Sequence, residues 1–207
     1  MEGEILTINS KEFWDFRYKK EIEEGYSRKD FERWSSIITQ IGEKDKVLEF
    51  GSGLGEFIEY CVTKRPFCSY TGIDISPIAV DYCSERMPNF KWWEGETLPK
   101  IWDSKYDVIV AQHVLEHMTE DKQEEFFTSA YELLPKGGRL VIVMPINDDI
   151  WIEHLKIWQL NDVTEMMRKK KDKWFIFMYW RSQTAYKRAD GHNDNDFEEA
   201  IIFMTKR

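Results

Sequence analysis

Cysteine is scarce in this sequence: Cys61, Cys68 and Cys83 are the only three in 207 residues. Their number is odd and no pair has C-x-x-C spacing, which argues against a disulfide framework or a zinc site and suits a reducing compartment. Long apolar runs are missing too. Residues Trp174 to Trp180 form one of the longest, far short of the roughly 20 residues a spanning helix needs. The start is acidic and polar with no signal-like apolar core, so a soluble cytoplasmic protein is expected, with no membrane partner. Positive charge is in deficit, with 29 Lys and Arg against 38 Asp and Glu, a net charge of -9. Without a basic footprint the chain is not expected to bind nucleic acid, and a small or neutral partner fits better. The one basic run, Arg168-Lys169-Lys170-Lys171, closes an expected helix, where cations complement the helix dipole. Internal repeats and low-complexity stretches are also lacking.

What is present is alternation. From Lys46 to Met144, strand-like and helix-like patterns take turns, the signature of a parallel sheet with helices on its faces. Val47 to Phe50 reads as a strand. Leu54, Phe57, Ile58, Cys61 and Val62 then repeat with helical period. Tyr70 to Ile75 is the next strand, and Ser76-Pro77 supplies an N-cap and first-turn proline for a helix through Met87. Phe90 to Trp93 is a short strand, Tyr106 to Ala111 a buried one, and Phe126 to Leu134 line a helix stopped by Pro135-Lys136-Gly137-Gly138 before the strand Arg139 to Met144. Flanking this core are an N-terminal part (residues 1-44) with an aromatic segment Phe13 to Tyr18 and a helical stripe from Phe31 to Ile41, and a C-terminal part (146-207) with strands Trp174 to Trp180 and Ala200 to Met204. A polar connection from Arg181 to Glu199 is expected to be a mobile loop. Trp92, Trp93, Trp174 and Trp180 are read as core because they lie in strands, whereas Trp151 and Trp158 are acceptor-site candidates. A single domain, 1-207, with its core at 45-145, is the simplest account.

The densest signal is Val47-Leu48-Glu49-Phe50-Gly51-Ser52-Gly53-Leu54-Gly55-Glu56, a strand that breaks into alternate glycines and then a helix. Such a turn lets backbone approach a ligand closely and aims N–H groups at it. A dinucleotide fingerprint, G-x-G-x-x-G, cradles a pyrophosphate. Here Glu49 and Glu56 flank the turn, repelling a pyrophosphate and favouring a ligand with ammonium or sulfonium charge. S-adenosylmethionine carries both.

With this turn, the strand end Thr71-Gly72-Ile73-Asp74-Ile75-Ser76, the segment Tyr106 to Met118 with its Val114-Leu115-Glu116-His117 run, and Leu134-Pro135-Lys136-Gly137-Gly138, the chain resembles the class I S-adenosylmethionine-dependent methyltransferases of small-molecule type. The resemblance implies an α/β fold, a three-layer Rossmann-like architecture whose seven-stranded, mostly parallel sheet has an antiparallel last strand between the fifth and sixth. It implies that Glu49, Gly51, Ser52, Gly53 and Gly55 surround the methionine half of the cofactor. Asp74, 19 residues after Gly55, holds the ribose, and Ile75 packs on the adenine. Gly95, Glu96 and Thr97 stand at the adenine edge, with Gly95 and Glu96 where the family often has Asp. Ala111, Gln112 and His113 border the methyl-bearing sulfur. In many members an N-terminal lid covers the cofactor. Trp14 or Tyr18 would do so here and Arg17 would pair with its carboxylate, the alternative being a packed amphipathic helix.

His113 and His154 are the candidate general bases, and His117 a weaker one. Each can equally be a hydrogen-bonded structural residue. No metal is expected, because a sulfonium leaves as a neutral sulfide and needs no acid or metal on the leaving side. The expected function is methyl transfer to an O, N, S or C nucleophile of a small molecule, with S-adenosylhomocysteine as product and a monomer or homodimer as the assembly. Rival readings are a protein side-chain acceptor and a non-catalytic scaffold or partner subunit. A nicotinamide oxidoreductase is a further rival, against which Glu56 and the Leu-Glu-His run count.

Overall fold

Strands occur wherever apolar, β-branched runs were expected, with ends displaced by one or two residues in the core. This holds in a computed structural model that describes residues 7–25, 31–66, 68–99, 105–147, 153–183 and 197–207. The chain forms two units, Met1–Glu96 and Thr97–Arg207.

In the first unit, α1 (Lys11–Glu24) starts at Ser10, whose hydroxyl accepts from Phe13 N–H at 3.2 Å, and ends at Gly25 in the left-handed region. None of its residues is buried. By contrast, α2 (Phe31–Ile38) buries Trp34, Ile37 and Ile38 on one face, as its stripe demands. Then come β1 (Lys46–Phe50), α3 (Glu56–Lys64), β2 (Ser69–Asp74), α4 (Pro77–Arg86) and β3 (Lys91–Glu94). Ser76 caps α4, accepting from Ala79 N–H, with Pro77 in the first turn. The strands pair in parallel, Phe50 opposite Ile73 and Gly72 opposite Trp92. A Cβ on Gly72 would stand 2.5 Å from the Trp92 ring, so only glycine lets that indole lie across the strand. Trp93 is 50% exposed, which corrects its reading as core. β3 is an end strand, and period-2 alternation sends Trp92 and Trp93 to opposite faces.

The second unit holds β4 (Val108–Gln112), a 3-10 turn (Leu115–His117), α5 (Glu120–Leu133), β5 (Arg139–Ile146), α6 (Leu160–Lys170), β6 (Trp174–Gln183) and β7 (Phe197–Lys206). β4 and β5 are parallel, while β7 runs antiparallel to both β5 and β6. The full order is β3-β2-β1-β4-β5-β7-β6, a seven-stranded, mostly parallel sheet with the antiparallel last strand in its expected place. β5 is buried from Leu140 to Ile146, and Trp174 is 1% exposed against Tyr131. The expected loop 181–199 is shorter at both ends. Arg181 pairs with Glu199 and Gln183 with Phe197, because ladder hydrogen bonds belong to the backbone and ignore side-chain polarity. The remainder, 184–196, lies outside the described residues. The basic run closes α6, where Arg168 pairs with Glu165 at 2.8 Å and Lys170 with Glu124. All three cysteines are buried thiols.

Candidate functional site

In the first unit the glycine turn has the backbone that its residues predict. Gly51, Gly53 and Gly55 have φ of 74°, 50° and 78°, a left-handed region that favours glycine. Gly51 and Ser52 N–H both donate to the Ile73 carbonyl, at 2.8 and 3.0 Å, which ties the turn to the end of β2. Asp74 ends that strand at 3% exposure. Its Oδ2 accepts from Gly53 N–H at 2.8 Å, and its Oδ1 accepts from Ser76 N–H at 3.0 Å. Burial pushes the Asp74 carboxyl up to about 6, against the opposing pull of the Ser76 and Gly53 amides. Glu49 is buried at the end of β1. Glu56 opens α3, so a carboxylate already complements that helix dipole where a pyrophosphate would have to rest. Ile75 is partly exposed beside Asp74, and Gly95 N–H donates to the Asp74 carbonyl at 2.8 Å.

α1 is held over this strand end by polar contacts rather than by an apolar face. Asp15 accepts from the Ser76 hydroxyl, Lys11 pairs with Glu94, and the Tyr18 hydroxyl lies 3.5 Å from Asp74 Oδ2. A Cβ on Gly53 would come within 3.4 Å of that same hydroxyl. With no buried residue, α1 is not the packed amphipathic helix that was the alternative. Arg17 is drawn to Glu21 at 3.3 Å and lies over the Trp14 ring, so in this state its guanidinium is engaged within the helix.

In the second unit Ala111 is buried near the carboxyl end of β4, and Gln112 and His113 are partly exposed. His113 has φ of 52°, an uncommon conformation for a residue with a Cβ, fixed by its N–H donating to the Val143 carbonyl at 2.9 Å. Its Nε2 is 2.7 Å from Glu199 Oε1 and its Nδ1 3.4 Å from Glu116 Oε1, both carboxylates being fully buried. The Nε2 contact with Glu199 anchors the imidazole, while Nδ1 faces the Glu116 carboxylate. Burial would raise the Glu116 carboxyl, but His113 and His117 outweigh it and the net shift is downward. His117 is itself shifted down by burial. His154 stacks edge-on against it, ring centroids 5.1 Å apart. Thr97 is partly exposed in this unit. Trp158 is buried at 3% exposure under Lys156, and Trp151 lies outside the described residues.

Reading the sequence does not single out Glu199, Glu153 or Gln123. Gln123 is buried and donates to the carbonyls of Leu115 and Met118, at 2.9 and 3.0 Å, pinning the 3-10 turn. For Glu199 a signal existed: paired acids, Glu198-Glu199, opening an otherwise apolar strand. Buried charge in a strand asks for a partner.

A family described as a methyltransferase domain matches residues 26–192. An uncharacterized methyltransferase of Bacillus mycoides is 27% identical over 122 residues, 58% of this chain and 57% of that one. Malonyl-[acyl-carrier protein] O-methyltransferase 1 of Ilyobacter polytropus is 24% identical over 138 residues, 59% and 51% of the two chains. The chain thus spans about half the length of these curated relatives. Among solved structures, a TehB-like SAM-dependent methyltransferase from Corynebacterium glutamicum has a similar fold, with a TM-score of 0.62, 20% identity and coverage of 95% of this chain and 98% of that one. Through the match over residues 26–192 the chain belongs to the methyltransferase domain family, and its sheet order and glycine turn accord with the fold of such domains.

Proposed function

We propose that this chain transfers a methyl group from S-adenosylmethionine to a nucleophilic O, N, S or C atom of a small molecule. The observation that carries the reading is Asp74, a buried carboxylate at a strand end, held by two backbone amides beside three left-handed glycines. The residues fit the cofactor. A carboxylate offers about four lone-pair sites; the Gly53 and Ser76 amides and the Tyr18 hydroxyl use three on Asp74, so one ribose hydroxyl would take the fourth and a second would replace Tyr18 at its 3.5 Å contact. Glu49 and Glu56 disfavour a pyrophosphate and suit a cationic methionine end.

When bound, the cofactor supplies a methyl group on a sulfonium, a leaving group that departs neutral. What remains for the chain is alignment, exclusion of water and, for some acceptors, removal of one proton. Asp74 orients the ribose. The turn at Gly51 to Gly55 gives backbone access to the methionine end, and α1, pinned by Asp15 and Lys11, screens the strand end from solvent. His113 is fixed between carboxylates and acts by holding its surroundings in place. The net charge of -9 and the aromatic residues beyond β5 support a small organic acceptor.

Calorimetry with S-adenosylmethionine and, separately, a dinucleotide tests the donor. Binding of the first alone is expected. Failure to bind it at about millimolar concentration, where a specific ligand would stabilise the fold by mass action, would favour the scaffold reading. A screen of small molecules and proteins with methyl-labelled cofactor, read by mass spectrometry, tests the acceptor. Label found only in protein side chains would overturn the small-molecule part.

A further inference from the structure

The cluster at the 3-10 turn holds a feature that methyl transfer does not use. Glu116 is fully buried, and among the described residues neither of its carboxylate oxygens accepts a hydrogen bond. His113 Nδ1 and His117 Nε2 stand 3.4 and 4.0 Å from Oε1, near enough for charge attraction but not aligned to donate. A buried anion whose basic neighbours approach without a direct hydrogen bond is suited to holding a cation.

His117 is oriented to help supply one. Its Nδ1 lies 3.1 Å from the Glu153 carbonyl, and since a carbonyl only accepts, Nδ1 carries the proton and Nε2 the lone pair, on the side of Glu116. A ring whose far nitrogen donates to a backbone carbonyl is the usual arrangement of a metal-ligating histidine. His154 completes the set: one donor atom from each of Glu116, His117 and His154 lies within 4.8 Å of the others. The loop bearing His154 is tied to the turn, Leu155 N–H donating to the Glu116 carbonyl at 2.8 Å.

We propose that Glu116, His117 and His154 form a binding site for one divalent first-row transition cation, such as Zn2+ or Co2+. Two imidazoles and one carboxylate suit these ions, whereas Mg2+ and Ca2+ favour all-oxygen sites. Metal–ligand bonds of about 2.0–2.2 Å place tetrahedral ligand atoms roughly 3.4 Å apart, so Glu116 and His117, 4.0 Å apart, must close by about 0.6 Å and no pair by more than about 1.4 Å. His154 is partly exposed and lies outside regular secondary structure, so a change of its side-chain rotamer is the movement the contraction asks for. Three protein ligands leave a position open for an oxygen, by which an acceptor hydroxyl or carboxylate could be held. That last step rests on the methyl-transfer reading; the cation site does not.

The test uses the full chain stripped with a chelator and titrated with Co2+, followed by its visible d–d absorption, and with Zn2+ by calorimetry. One cation per chain is expected, Zn2+ displacing Co2+, with affinity at least about tenfold weaker in Glu116→Gln and in His154→Ala. Circular dichroism reports folding, and if Glu116→Gln fails to fold, His154→Ala decides. Absence of binding to the wild-type chain, or equal binding by His154→Ala, overturns the site. Cofactor affinity is measured separately on the chelated protein, so failure of the methyl-transfer reading is distinguishable from failure of this one.

Discussion

Replacing Asp74 with Asn separates two opposite effects of one carboxylate. The side chain is buried, and its proton affinity is raised from an ordinary value of 3.8 to about 6. An acid whose folded-state value lies above its unfolded one opposes folding once ionised. Folding is unaffected below the unfolded value, and stability falls as pH rises from there through the folded value. At 1.36 kcal/mol per unit, ionised Asp74 costs the ligand-free fold about 3 kcal/mol at neutral pH. Asn carries no charge but leaves one of the Gly53 and Ser76 amides facing an NH2 group, a loss of roughly 1–3 kcal/mol that does not vary with pH. The offset cancels when two pH values are compared. From about pH 4.5 to about pH 7.5, Asp74→Asn should gain about 2 kcal/mol relative to the wild type, by urea denaturation at each pH. Over the same range the wild type should bind S-adenosylmethionine more tightly as Asp74 ionises, while the variant binds about 10–100-fold more weakly at neutral pH and lacks that rise. A stability difference that stays constant with pH would refute the burial argument. Unchanged affinity would remove Asp74 from the ribose role.

Gly55→Ala places a Cβ 2.4 Å from Met87 Cε at a φ of 78°, and should cost about 1–3 kcal/mol in urea denaturation, strain supplying most of it because the methionine tip can yield. Asp15→Ala removes the acceptor of the Ser76 hydroxyl and, since α1 buries nothing, should speed hydrogen exchange in α1 while changing global stability by less than about 1 kcal/mol. Trp174→Ala empties a fully buried site against Tyr131 and should destabilise by about 3–5 kcal/mol, read by the shift in denaturation midpoint.

The glycine turn and Asp74 were legible because their chemistry is local: a strand, a turn, and an acid one βαβ step later. The strand order followed from the alternation of patterns and from the resemblance. Contacts made across long stretches of chain were not legible. His113 meets Glu199 only because β7 inserts beside β5, and His154 meets His117 only because the loop after β5 returns to the 3-10 turn. α1 was legible as a helix but not in its attachment. Its hold on the strand end uses single side chains, Asp15, Lys11 and Tyr18, which leave no periodic trace. The exposure of Trp93 was hidden for a related reason, since apolar content does not reveal which strand lies at the end of a sheet.

The insertion of β7 between β5 and β6 also orders events during folding. β6 and β7 meet across a modest separation, positions 183 and 197 pairing directly, whereas the nearest β5–β7 pair joins position 146 to 198. Closing the shorter loop costs less entropy, so the β6–β7 ribbon should form early and dock onto β5 as a unit. That ribbon carries Glu199 from water into the interior, and His113 waits at the docking edge to receive the charge. Glu199→Gln should therefore alter the unfolding rate far more than the folding rate, and a change confined to the folding limb of the chevron would reverse this order.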